Sequence, residues 1–145
     1  MGARGLGSLV GPLIGARWAG QQMGRLRLGV LVGFLTFSAG YLTLAFTGFP
    51  PAAYAAVILS HMGGAMVWVF STTLLQLMSE DRFRGRVFSA ELGFCTTALA
   101  ITAFGAGWLL DRGVSIRALL AATAGLTFAA GALWAGWGMG RDTEA

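Results

Sequence analysis

The sequence has ten arginines but no lysine, six acids, one histidine and one cysteine. Charged residues make up 11% of the chain, against about 25% in a typical soluble domain. So little charge argues against a soluble fold. The single Cys95 excludes an internal disulfide framework and any cysteine-rich metal site. With one histidine there is no H-E-x-x-H pair, and no G-x-S-x-G elbow or pair of intramembrane acids occurs. Neither an enzyme nor a cofactor or metal site is therefore expected. The pI near 10.6 does not indicate nucleic acid, because a nucleic-acid binder needs a basic face on a soluble fold. Here the arginines stand at the ends of apolar runs. The N-terminus lacks a separate charged region and does not read as a cleavable leader.

What is abundant is apolar sequence. Hydrophobic residues reach 56%, and 23 glycines are dispersed through the apolar runs. Membrane helices tolerate such glycine better than soluble ones. A spanning helix needs about 20 mainly apolar residues. Four segments qualify: 28–48, 52–78, 90–110 and 118–138. The expected fold class is all-α, a polytopic transmembrane helical bundle. Residues 5–15 are too short to cross alone. They read as the second half of a further span, with Met1 inside a longer protein. A re-entrant or interfacial segment is the alternative.

The predicted connections are 16–27, 49–51, 79–89 and 111–117, with a tail from 139 to 145. Alternate connections share a side. One side receives Arg17, Arg25, Arg27, Arg82, Arg84, Arg86 and Arg141; the other receives Arg112 and Arg117. The positive-inside rule then puts the charged loop and the C-terminus in the cytoplasm and the Pro50–Pro51 hairpin outside.

Lipid gives helices no hydrophobic reason to associate, so small residues must bring their backbones together. Gly7, Gly11 and Gly15 form one ladder, Gly29 and Gly33 another, and Ala98, Thr102 and Gly105 a third small stripe. Segment 52–78 carries a polar face: His61, Ala65, Trp68, Thr72 and Gln76. Such a face should point at protein or a water-filled cavity, which makes His61, Trp68, Thr72 and Gln76 cavity-lining candidates. His61 and Gln76 also have a plainer role as interhelical hydrogen-bonders, and Trp68 as a packing residue. Segment 118–138 has only Thr123 and Thr127 and fits a peripheral, lipid-exposed helix. Its Trp134 and Trp137 suit an interfacial belt. Arg4 would lie within the membrane if the first span begins upstream.

The densest charge is SEDRFRGRVFS, residues 79–89. Glu80 and Asp81 are spaced to meet Arg84 on a helical turn, and Gly85 permits a turn or a close backbone approach. A solvated loop held inside by its charge is the simpler reading.

The run LLQLMSEDRFRGRVFSAELG resembles the stretch joining the tenth and eleventh helices of Major Facilitator Superfamily transporters, near the enterobactin-exporter and macrolide-efflux branch. GARWAGQQMGRLRL, residues 15–28, resembles a degenerate copy of the superfamily's G-x-x-x-D-R-x-G-R-R loop. Gly15, Gly24, Arg25 and Arg27 match in kind, but the spacing is two residues too long and the aspartate is absent. The resemblance covers essentially the whole chain. It implies the C-terminal part of a twelve-helix fold: residues 1–15 as the end of helix 8, then 28–48, 52–78, 90–110 and 118–138 as helices 9 to 12.

It also implies proton-coupled export of a small molecule by alternating access. The partners would be protons, the substrate, the lipid bilayer and the N-terminal half of the same transporter. The location would be a bacterial inner or plasma membrane. In that picture Asp81, Arg82, Arg84, Gly85, Arg86 and Glu91 form a cytoplasmic latch, with Glu91 accepting from Arg84. A small polytopic scaffold without transport activity is the alternative.

Overall fold

A computed structural model describes residues 2–138. Five helices follow one another: α1 (Gly2–Ala19), α2 (Met23–Phe46), α3 (Pro50–Met78), α4 (Asp81–Asp111) and α5 (Ile116–Gly138). No strand occurs among the described residues. α2, α3, α4 and α5 are long and apolar enough to cross a membrane, which is compatible with a multi-pass membrane protein. Arg141 and the rest of the tail lie outside the described residues.

The connections around the two charged runs are shorter than the sequence suggests. Expected connection 79–89 reduces to Ser79 and Glu80, and 16–27 to Gly20, Gln21 and Gln22. Arginine explains both. Its aliphatic stem lies along a helix while its head reaches water, so charge alone does not end a helix. At 1.5 Å per residue the 31-residue α4 is about 46 Å long. A hydrocarbon core is about 30 Å thick. The surplus roughly matches the charged turns at the start of α4. Pro50 and Pro51 are likewise not in a loop but open α3, where a missing N–H costs nothing.

The segment read as 1–15 is, from Gly2 on, one continuous helix that runs through Arg17 and Trp18 to Ala19. It ends where Gly20 takes φ +54, a conformation that favours glycine. The Gly20 amide donates to the Ala16 carbonyl at 3.0 Å.

Glycine sets the packing. α3 is the central element, with α1 and α2 against it. Gly7, Gly11, Gly15 and Ala19 are the buried residues of α1. Gly7 meets the Ile58 backbone, Gly11 meets Met62, and Gly15 meets the Phe70 ring. Both helices ascend in number, so α1 and α3 run parallel. On α2, Gly29 meets Phe70, Gly33 meets Gly63 and Val67, and Gly40 meets Ala56 and Ser60. These helices are antiparallel. Thr36 and Thr43 donate to their own helix, to the Val32 and Ala39 carbonyls.

α5 exposes Leu126 and Leu133, as a lipid-facing helix should, but it is also tied to α2. Ala124 is buried, and Gly131 lies against the Phe34 side chain. The buried Ser38 hydroxyl donates to the Ala124 carbonyl at 2.7 Å, and Trp134 Nε1 donates to the Arg27 carbonyl at 3.1 Å. Trp134 is therefore a fastener between α5 and α2. Ser38→Ala should destabilise the fold by about 0.6 kcal/mol, the average for interhelical hydrogen bonds in membranes. Unfolding in a denaturing-detergent titration checks this.

α4 differs from the rest: it has no buried residue and only slight contact with the other helices. Its small stripe at Ala98, Thr102 and Gly105 meets no helix among the described residues, and Thr102 donates to its own Ala98 carbonyl.

Candidate functional site

Three chain segments meet at one end of the bundle. Arg27, Met78, Trp134 and Trp137 line one cavity of about 280 Å³ there. The start of α2, the end of α3 and the end of α5 thus share a side, in agreement with the alternation read from the arginines. The start of α4 follows two residues after α3, at the same end.

Ser79 terminates α3, and its hydroxyl donates to the Leu75 carbonyl at 2.6 Å. α4 begins at Asp81, whose charge suits the positive end of a helix dipole. Asp81 Oδ1 pairs with Arg84 Nη2 at 2.6 Å. Glu80 Oε2 takes Arg82 Nε at 2.8 Å rather than Arg84, and the Arg82 guanidinium stands 4.6 Å from the Phe83 ring centroid. Among the described residues, Arg84 Nε is buried without a hydrogen-bond partner. Arg86 lines a shallow cleft with Glu80, Phe83 and Met78. Exposed pairs of this kind contribute about 0–1 kcal/mol each. Gly85 provides neither a turn nor a close approach. It sits in regular helix with open space around it, because α4 begins four residues before it.

Glu91 is half-buried and does more than the sequence suggested. Its Oε1 accepts from the Thr72 hydroxyl at 3.1 Å, an α3–α4 hydrogen bond. Arg84, two turns back and about 10 Å along the axis, pairs with Asp81 instead. The structure therefore joins one latch residue, Glu91, to one cavity candidate, Thr72.

The other α3 candidates do not converge. His61 Nδ1 lies 2.9 Å from the Val57 carbonyl and 3.3 Å from Ser60 Oγ. A carbonyl only accepts, so the Val57 contact puts the proton on Nδ1. His61 and Gln76 are about 22 Å apart along the helix, and Trp68 and Gln76 are exposed. These residues form a stripe along α3.

The loop residues also separate. Gly15 packs on Phe70, while Gly24 has open space around it. Arg25 Nη1 donates to the Trp18 carbonyl at 2.9 Å, and its guanidinium lies 5.7 Å from the Trp18 ring centroid. The Arg27 carbonyl holds Trp134. Sequence reasoning missed Gly20, although a glycine just past a helix end is a recognisable stop signal. It also missed Phe70, since nothing distinguishes one phenylalanine in an apolar run. No family model, curated protein or solved structure matches the chain.

Proposed function

We propose that this chain is the C-terminal part of a secondary active transporter, a proton-coupled exporter of drug-like or siderophore-like molecules in a bacterial inner or plasma membrane. The observation that carries the reading is the Thr72–Glu91 hydrogen bond, set beside the arginine knot at one end of the bundle. An acid there joins a polar helix face to a helix that otherwise packs on almost nothing. α1, α2 and α3 are locked by backbone-close contacts. α4 meets this unit through the polar Thr72–Glu91 contact instead. Alternating access needs such a division into a rigid unit and an element free to move against it. The resemblance of residues 74–93 to the loop between helices 10 and 11 supports the same reading, with Asp81, Arg82, Arg84 and Arg86 closing the cytoplasmic side. No enzymatic step is proposed.

The test is export by the complete open reading frame that carries this chain, in a pump-deficient host challenged with a drug and siderophore panel. Export is expected, and Glu91→Gln should reduce it at unchanged membrane abundance. No export of any panel member at normal abundance contradicts the transporter. It would leave the scaffold reading, which the uncovered surface of α4 also favours.

A further inference from the structure

The notch between α1 and α2 belongs to neither the knot nor the polar face of α3. The two helices are joined by a three-residue turn but scarcely touch along their lengths, and α3 closes the notch from behind. The result is an open groove of about 430 Å³. Gly11, Gly15 and Gly29 lie along it, and Ile14, Trp18, Leu28 and Val32 stand on its rim with exposed side chains. Thr36 also lines the groove, and its hydroxyl is already spent on the Val32 carbonyl at 2.7 Å. Hydrocarbon suits such a surface; a polar solute does not. From Leu28 to Thr36 the groove follows α2 for about 12 Å, most of one leaflet of a hydrocarbon core about 30 Å thick.

A cation stands at its mouth. Arg25 is pinned over Trp18 by a hydrogen bond to the Trp18 carbonyl and by the indole face. Both partners are uncharged, so among the described residues nothing neutralises Arg25 while it is held in place. No acid occurs anywhere in residues 1–79, and the first one, Glu80, pairs with Arg82. Arg17 lies exposed in the last turn of α1. A fixed guanidinium above an apolar slot one leaflet deep is complementary to a phosphate joined to an acyl chain.

We infer that this groove binds an anionic phospholipid, its phosphate on Arg25 and one acyl chain between α1 and α2. The site needs no transport activity and stands apart from that reading. It is tested by native mass spectrometry of the full chain released from micelles containing phosphatidylglycerol or phosphatidylcholine. A basic residue near the membrane surface contributes about 1 kcal/mol toward anionic lipid, so the protein should retain phosphatidylglycerol about fivefold better. Arg25→Gln should bring that ratio to within about twofold. Arg117→Gln, which removes the same charge at the opposite end, should leave it unchanged. Val32→Phe, filling the groove from its exposed rim, should lower retention of both lipids. In the unsubstituted protein, phosphatidylglycerol with a photoreactive acyl chain should label the α1 and α2 rim. Equal retention of the two lipids, equal loss from Arg25→Gln and Arg117→Gln, or labelling confined to α4 each overturn the inference.

Discussion

Gly63→Leu is expected to abolish cooperative folding of the helical unit. Gly63 lies on the seam between α2 and α3, and a Cβ built on it would meet the Phe37 amide nitrogen and the Gly33 carbonyl oxygen. Both obstacles are backbone, so no rotamer change relieves the clash and the helices must separate. Gly33 and Gly40, on the same seam, would then lose their contacts as well: a Cβ on Gly33 would lie 2.9 Å from the Gly63 carbonyl oxygen, and one on Gly40 2.6 Å from the Ser60 amide nitrogen. Overpacking a core costs about 1–3 kcal/mol when side chains can adjust. Here the loss should exceed about 3 kcal/mol, because they cannot. Gly125→Ala is the contrasting case. Gly125 is helical with open space around it, so the methyl group meets nothing and alanine is the better helix former. That variant should unfold no earlier than the parent in a denaturing-detergent titration. Similar losses from the two substitutions would contradict the glycine seam.

Phe70→Ala is expected to cost about 3 kcal/mol, the low end for removal of a buried phenylalanine. The ring is 1% exposed and is the point at which three helices meet. Gly15 of α1 and Gly29 of α2 both rest on it, and Ala19, Leu26, Val30 and Leu74 complete the cluster. In water part of such a loss is the transfer of apolar surface. In lipid that part nearly vanishes, and the remaining cost is the void. A direct check is coupling. Gly29→Ala collides with the Phe70 ring in the parent but meets empty space once Phe70 is alanine. A double-substitution cycle should therefore show Gly29→Ala costing less in the Phe70→Ala background. Additive losses would mean that the ring does not fill the space between the helices.

These effects show which parts of the fold the sequence makes legible. Apolar runs locate α2, α3, α4 and α5 because a membrane span has a fixed length. The glycine ladders locate the seams, because spacing of three and four puts residues on one face. Helix ends are less legible, since arginine does not by itself end a helix: α4 begins at Asp81, well inside the charged run. The candidate site is legible only in part. Asp81–Arg84 follows from i,i+3 spacing, but Thr72–Glu91 joins residues on two helices, and neither periodicity nor charge count relates them. The central role of Phe70 depends on which glycines face it, which requires the register of three helices at once.

The sidedness of the helices is the claim on which the account most depends, and accessibility of introduced thiols measures it. In a Cys95→Ser background, Gln21→Cys reports on the α1–α2 turn and Ser115→Cys on the α4–α5 turn. Intact cells would be treated with a membrane-impermeant maleimide before and after permeabilisation. Labelling of position 115 in intact cells, with position 21 labelled only after permeabilisation, is the predicted result. Labelling of both positions from the same side would contradict it.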